Sequence, residues 1–396
     1  MKKIDPKVDE AIQTLNMKDG PSRRKLLTGT GLVSATAAAS ALLAACTSSN
    51  NSSSSSSGTV KITESSAAAV AGNFPKTPGW KFYFVNHVTT NPFFTPTQYA
   101  LSDAAALLGL PTPVWGGSTN SIISDMVSNF DTAVAAGADG IALAAISATA
   151  FTSPVASAMS KGIPVVTYNA DGVYVSGKPV IGTNRLCYVG QSLYSSGQSM
   201  GEQIKTVLPG GGDIVIFTPV VGTGNTQPRY DGAVSVLGSS YNVAEIATGA
   251  TTPVEAPAMK AYLNAHKSTL KGAFAIDSGD TEFLGAQLKS LGMSIPAGGF
   301  DTTGQTVPAI QSGLLDFTIY QDPYLQGFLP VLYMYLYNLS GGVLSPPDTD
   351  TGLSVVTKSN VEPYIADSRY QGSTTAEKYI QRASGAINSP MASTST

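Results

Sequence analysis

The sequence predicts an α/β protein of two domains, each a parallel sheet flanked by helices. Three observations lead there. Short apolar runs alternate with helical spacings from Lys81 to Val189. A second alternating series runs from Gly190 to Ile319. Once a leader and a linker are set aside, about 300 residues remain to fold, and two domains are the expectation at that length. Strands that alternate with helices pair in parallel, and the crossover helices cover both faces of the sheet.

The chain opens with residues that do not belong to that fold. Ser22-Arg23-Arg24-Lys25-Leu26-Leu27 is a twin-arginine motif, and a weakly apolar stretch rich in Gly, Ala, Ser and Thr follows it to Ala45. This is the layout of an export signal of the Tat type over residues 1–45. Leu43-Ala44-Ala45-Cys46 resembles a lipobox, which would make Cys46 the lipidated first residue of the mature chain. A single transmembrane anchor is the other reading, and the low hydrophobicity of the stretch argues against it. Thr47 to Gly58 is nearly all Ser and Asn, a solvated linker that extends to about residue 79 and would hold a folded domain off a membrane surface.

Residues 1–45 hold seven of the 23 basic and four of the 26 acidic residues, which leaves 16 against 22, a net charge of −6. That mild acidity argues against a nucleic-acid partner, which needs a basic surface. Of the two cysteines, Cys46 is claimed by the lipobox, and Cys187 lies alone in the apolar run Leu186-Cys187-Tyr188-Val189, the setting of a small buried residue. Two histidines and one remaining cysteine give no metal-ligand spacing, and no cofactor is implied.

The first strand is Lys81 to Asn86. The run ends in a polar turn closed by Asn91 and Pro92, and Phe93 and Phe94 open a helical pattern through Leu107 and Leu108. Proline fits the first helical turn, where its missing N–H is not needed. Asn91, Phe93 and Phe94 therefore sit just past the carboxyl end of a strand, the edge at which open α/β sheets bind ligands. Two aromatic faces beside an amide suit a sugar. Plain helix-to-sheet packing explains the two phenylalanines equally well. Val114 and Trp115 end a second strand, and Ile122, Met126, Phe130, Ala133 and Val134 recur at helical spacing. Ala138 to Leu143 is a third strand, Phe151 to Met159 a helix, and Gly162 to Tyr168 a fourth strand ending at Tyr168-Asn169. His87 and Trp115 lie at strand ends, where packing is the simpler role for each.

The second series begins with a helical pattern from Gln191 to Leu208. Ile214 to Phe217 is a strand, Pro228 to Leu237 a helix that carries Arg229, and Gly272 to Ile276 a strand ending at Asp277. Gly298-Gly299-Phe300-Asp301 closes another strand, and Phe317 to Gln321 is the last of the series. Polar residues at successive strand ends, Asp277, Asp301 and Gln321, are what a shared cleft requires. Each has a bland role beside this one: Asp277 and Asp301 could cap the helices that follow, Arg229 could pair with Asp231, and Asn169 could form a turn. Tyr324 to Leu339 is the most apolar stretch, short for a membrane span and interrupted by Gln326 and Pro330, and reads as a buried helix. Ser354-Val355-Val356 is a late strand, and the chain from about Gln371 is polar and loosely held.

An enzyme reading rests on Gly197-Gln198-Ser199-Met200-Gly201, which fits the G-x-S-x-G elbow of α/β hydrolases. An elbow needs a strand immediately before its Ser. Here the helical pattern runs through Ser199, with Leu193 and Met200 seven apart on one face, and the downstream histidine, His266, lies at a polar helix end. A secreted hydrolase using Ser199 is the weaker alternative.

Eight segments together resemble the type I periplasmic sugar-binding proteins of ABC importers, the group with ribose-, galactose- and arabinose-binding members. They are Asn91-Pro92-Phe93-Phe94, Asp139-Gly140-Ile141, Gly162-Ile163-Pro164-Val165-Val166, Tyr188-Val189-Gly190-Gln191, Arg229-Tyr230-Asp231-Gly232, Phe274-Ala275-Ile276-Asp277, Gly299-Phe300-Asp301 and Ile319-Tyr320-Gln321. Val85 to Thr90 and Pro323 to Phe328 resemble, more closely, an actinobacterial subgroup that takes small sugar alcohols or simple sugars. The resemblance implies two lobes joined by three hinge crossings, near Val189-Gly190, Gln321-Asp322 and Ser345-Pro346. Residues 80–189 with 322–345 would form the first lobe, 190–321 with 346–365 the second, and 366–396 a polar tail.

The resemblance also implies a ligand site. Asn91 matches an amide that bonds sugar hydroxyls, Phe93 and Phe94 match stacking aromatics, and Arg229 matches a second-lobe arginine. Asn169 and Asp277 stand where a ribose binder has Asp and Asn, Ala170 replaces an arginine, Asp301 and Gln321 match directly, and Phe300 is expected to line the pocket. The implied ligand is a neutral monosaccharide or small polyol, since Asp277 and Asp301 would repel an acid. The implied partners are an ABC permease and, through the lipid anchor, a membrane. The protein would act as a monomer without catalysis, and a ligand-sensing lipoprotein of the same fold is the alternative role.

Overall fold

The computed structural model describes residues 75–374 apart from Gly177, together with residues 376, 380, 381 and 384. The export signal, Cys46, most of the linker and most of the tail lie outside the described residues.

The first sheet has six strands in the order β13-β7-β4-β3-β1-β2. These are β1 (Phe82–Asn86), β2 (Val114–Gly117), β3 (Gly140–Ala145), β4 (Val165–Asp171), β7 (Tyr188–Gly190) and β13 (Thr349–Asp350). Every pairing in it is parallel. The helices α1 (Thr95–Leu108), α2 (Ile123–Ala135) and α3 (Thr152–Ser160) connect the early strands. Val114 and Trp115 begin β2 rather than end it, because Pro111 and Pro113 hold the chain off the ladder until Val114. A hairpin of β5 (Val173–Val175) and β6 (Lys178–Val180) interrupts the series after β4.

The second sheet also has six strands, in the order β14-β12-β11-β10-β8-β9. They are β8 (Gly212–Thr218), β9 (Tyr241–Ala247), β10 (Gly272–Ala275), β11 (Ala297–Phe300), β12 (Phe317–Tyr320) and β14 (Ser354–Thr357). All pair in parallel except β14, which runs antiparallel to β12. Its helices are α4 (Leu193–Val207), α5 (Gln227–Leu237), α6 (Thr252–Ala265), α7 (Ser278–Ser290) and α8 (Thr306–Ser312). The edge strand β9 has no fully buried residue, which is why its sequence carries no clear strand pattern.

Each sheet packs its own core. Phe82, Phe84, Val166 and Tyr168 bury one face of the first sheet with Phe94 and Leu101. Val215, Phe217, Ala273 and Ala275 bury one face of the second with Met259, Leu263 and Leu284. Cys187 is buried in the first core, and burial pushes its thiol up to about 12, so it stays an inert apolar group.

The helix α9 (Leu325–Leu339) follows the last parallel strand of the second sheet, yet Val331, Met334 and Tyr335 join the core of the first. Its Gly327 is what lets it approach α1: a Cβ there would lie 2.5 Å from the Thr97 carbonyl oxygen. The chain thus crosses between the sheets after β7, after β12 and after β13. The third crossing is at 351–353, a few residues past the expected Ser345-Pro346, because Thr349 and Asp350 still pair with Val189 and Gly190. Asp348 is anchored just before it: Arg185 bridges Asp171 and Asp348, and the Tyr188 amide donates to Asp348 Oδ1 at 2.8 Å.

After β14 and the short α10 (Glu362–Ile365) the chain returns to the first lobe. Tyr364 packs on Tyr320, whereas Arg369 pairs with Asp103 and Tyr370 packs on Tyr324, ring centroids 5.0 Å apart. Residues 369–371 therefore form a docked 3-10 turn within the stretch expected as a polar tail, and the chain is still held at Gln371.

The Gly-x-Ser-x-Gly segment lies inside α4, whose first two turns, not a strand, immediately precede Ser199. Its glycines serve packing. A Cβ at Gly197 would lie 2.1 Å from the Arg229 carbonyl oxygen, and one at Gly232 of α5 would lie 2.1 Å from that of Tyr194. The motif is a close helix–helix contact.

Candidate functional site

A polar cleft of about 510 Å³, solvent at its mouth included, lies where the carboxyl ends of the two sheets face each other. Asn91, Phe93, Phe94, Asn169, Arg229, Asp277, Asp301 and Gln321 all line it. Phe300 does not. It is the last residue of β11 and is buried in the core with Ile276, Phe317 and Ile319, while Asp301, just past the strand end, lines the cleft. The Phe300 ring instead lies under the Arg229 guanidinium, 4.2 Å from its carbon to the ring centroid.

The first-lobe wall is built by the turn after β1. Asn91 caps the turn, its Oδ1 accepting from the Phe93 amide at 2.9 Å. Phe93 and Phe94 pack edge to face with centroids 4.7 Å apart, and Phe94 continues onto His87 and Trp115. Packing and lining are thus not alternatives here: both phenylalanines belong to the core and to the cleft wall. Trp115 packs, donating Nε1–H to the Thr89 carbonyl at 3.3 Å. His87 is a correction: it lines the cleft, and its Nε2 meets the Asn225 amide of the second lobe at 3.3 Å. Burial, then Arg229, hold its pKa down to about 4, so this wall is uncharged at neutral pH.

The second-lobe wall is ionic. Arg229 is only 4% exposed and projects from the first turn of α5. Its Nη1 donates to the Ile276 carbonyl at 3.0 Å and its Nη2 to Gln191 Oε1 at 3.3 Å, while Nε has no partner among the described residues. It does not pair with Asp231, which takes the Gln227 amide instead. Asp277 does cap α7, accepting from the Gly279 and Asp280 amides, and it lines the cleft as well. Asp301 caps no helix. It accepts from Gln321 Nε2 at 2.8 Å, and burial lifts it to about 6, with Arg229 and Gln321 pulling it back. A carboxylate at the left-handed φ of 72° is tolerated because Asp and Asn adopt that region more easily than other side chains; Asn169, at 62°, shows the same device on the opposite wall.

The two walls meet at the crossings. Asn169 Nδ2 donates to Gln326 Oε1 at 3.0 Å, and Gln326 Nε2 reaches the Gln321 carbonyl at 3.0 Å and Thr351 Oγ1 at 3.3 Å. Gln191 Nε2 donates to the Gly352 carbonyl at 3.2 Å. Thr351 Oγ1 also donates to the Gln321 carbonyl at 2.8 Å, so residues of all three crossings, Gln191, Gln321 and Thr351, bond cleft residues directly. Farther out, Ser278 donates to Asn91 Oδ1 at 3.4 Å across the cleft, and the Gly224 amide donates to the Ile146 carbonyl at 3.1 Å. Glu255, Ser278 and Asn225 line the cleft without having been legible as site residues; none sits in a recognisable segment.

Two α/β lobes of this topology, linked by three crossings with the cleft between them, define the type I periplasmic-binding-protein fold. The chain belongs to the periplasmic binding protein family: the model of the periplasmic binding protein domain matches residues 82–341. It is 43% identical over 332 residues to the xylose/arabinose-binding protein XylF of Sulfolobus acidocaldarius, covering 80% of this chain and 81% of that one. The fold is also that of an ABC transporter solute-binding protein from Burkholderia graminis C4D1M in complex with D-arabinose (TM-score 0.65, 24% identity, 72% of this chain and 98% of that one). A carbohydrate transporter structure from Acidothermus cellulolyticus 11B in complex with myo-inositol is similar at a TM-score of 0.63 and 22% identity, over 72% of this chain and 96% of that one.

Proposed function

We propose that the protein is the extracytoplasmic receptor of an ABC importer and binds a neutral sugar, a pentose of the xylose or arabinose kind first among candidates. One observation carries this reading: two buried aromatic rings on one wall face Arg229, Asp277 and Asp301 on the other, within a single cleft. The rings suit the C–H faces of a sugar. The carboxylates accept its hydroxyls, Arg229 donates through an Nε that no described residue uses, and Asn91 offers a further amide. Carboxylates outnumber the lining cation, so a sugar acid would be repelled. The relative named as a xylose/arabinose-binding protein supports a pentose over the larger hexoses and over the polyol expected from the subgroup resemblance.

In this reading the sugar contacts both lobes and so favours the closed arrangement over the open one, which a permease could then recognise. Cys46 would carry the lipid that keeps the monomer at the membrane after Tat export, and Thr47 to Gly58 would give it reach. The test is a thermal-shift screen of the purified protein with pentoses, hexoses, sugar alcohols and sugar acids. A ligand that binds only the folded state raises the melting temperature by mass action. A shift with xylose or arabinose and none with sugar acids is expected; a flat response to every neutral compound would refute the proposal.

A further inference from the structure

Glu255 has no counterpart among the site residues expected from sequence, yet it stands in the cleft wall beside Asp277 and Ser278. It lies in the first turn of α6, is 3% exposed, and its Oε2 has no hydrogen-bond partner among the described residues. A buried carboxyl oxygen with no partner carries its full desolvation cost, and a cleft is where a ligand can remove that cost. The side chain is also held in place. A Cβ on Gly279 would lie 2.3 Å from Glu255 Oε2, so the glycine leaves the room that the carboxyl fills.

The groups around it are acids. Asp277, Asp280 and Glu282 come from the start of α7, and Asp280 takes the Thr248 hydroxyl at 3.0 Å. Arg229, the cation of the cleft, is directed to Ile276, Gln191 and the Phe300 ring, and His87 across the cleft is neutral. Asp301 is engaged by Gln321. No positive group among these is spent on Glu255. The helix N-terminus favours its ionised form, but the burial and the neighbouring acids oppose it.

We propose that Glu255 is a specificity-determining residue of this cleft, whose carboxyl donates a hydrogen bond to a hydroxyl or ring oxygen of the bound sugar. The inference rests on the sugar reading given above. Burial, then Asp277 and Glu282, lift the group to about 8, so at neutral pH it holds its proton and has an O–H to give. The cleft then contains two kinds of carboxyl: acceptors at Asp277 and Asp301 for hydroxyl hydrogens, and a donor at Glu255 for an oxygen. A ligand lacking an oxygen at that corner would leave the donor unpaired and be rejected.

Calorimetric binding of D-xylose and L-arabinose by the full chain, by Glu255→Gln and by Glu255→Met tests this. The amide of Gln keeps a donor, so Glu255→Gln should stay within about threefold of the native affinity, whereas Glu255→Met should bind roughly thirtyfold or more weakly. Native affinity should fall above about pH 8 as the proton leaves, and Glu255→Gln should lack that fall. Native-like binding by Glu255→Met overturns the assignment, and so does equal weakening in both variants. If Glu255→Met does not fold, as judged by its melting curve, the pH profiles of the native and Gln proteins decide: matching profiles overturn it. A native protein that binds neither pentose overturns the sugar reading, and this inference with it.

Discussion

The two walls of the cleft solve the same problem with opposite chemistry. The first-lobe wall is neutral, made of Phe93, Phe94, a neutral His87 and the amides of Asn91 and Asn169. Its parts are fixed by core packing, so it offers shape without electrostatic cost. The second-lobe wall carries Arg229, Asp277 and Asp301, held by a helix cap and by glutamines from the crossings, together with the buried Glu255. Charge-assisted bonds are strong where water is excluded, and equally costly where a partner is missing. The lesson is that neither lobe alone makes a site: one supplies faces, the other supplies direction.

Substitutions on the charged wall should therefore cost most. Arg229→Ala leaves Asp277 and Asp301 without their cation and removes the donor to the Ile276 carbonyl. Breaking a buried charge arrangement from one side costs about 3–5 kcal/mol of stability, so the melting temperature should fall; losing a buried charged donor to the ligand should weaken pentose affinity at least about thirtyfold in calorimetry. Unchanged affinity would remove Arg229 from the site.

Asp301→Asn keeps the left-handed backbone and the shape and removes only the charge, which should weaken binding about tenfold. The pH dependence sharpens this. Asp301 is lifted from 3.8 to about 6 in the folded protein, so the folded state takes up its proton more readily than the unfolded one. This group's contribution to stability of the free protein should fall as pH rises from about 4 to about 6. Sugar affinity should move the other way, weakening below about pH 6 as the acceptor is protonated, and Asp301→Asn should abolish that acid limb. A flat profile in the native protein would show that Asp301 does not accept from the ligand.

The neutral wall should yield the smallest effect. Phe93→Leu keeps apolar bulk but loses the ring face, and should weaken binding about threefold to tenfold, near the ~1 kcal/mol that an aromatic contact adds beyond area. A loss as large as that from Arg229→Ala would erase the contrast between the walls.

Much of this architecture is legible in the sequence because buried parallel strands are written as uninterrupted apolar runs, as at Ile214 to Phe217. Strand ends then point to the site: Asp277, Asp301 and Gln321 were readable from position alone. What escaped has a common cause. Glu255, Asn225 and His87 reach the cleft from a helix start, a loop and a strand end, and only the three-dimensional facing of the lobes brings them together. Phe300 misled for the opposite reason: it is adjacent to Asp301 in sequence, but it still belongs to the strand and to the core, whereas Asp301 lies past the strand end. Glycine likewise carried two meanings in Gly197-Gln198-Ser199-Met200-Gly201, and helix contact, not chemistry, was the true one.

The return of residues 369–371 to the first lobe has a consequence for range of motion. A fourth span joins the lobes beside the three crossings, anchored through Arg369 to Asp103 and through Tyr370 to Tyr324. If the lobes open and close as proposed, this span would act as a check strap, and the length of chain between Tyr364 and Arg369 would limit how far they part. Truncation after Ser368 should leave the sugar contacts intact and enlarge the radius of gyration of the unliganded protein in solution scattering; an unchanged radius would show that the strap carries no load.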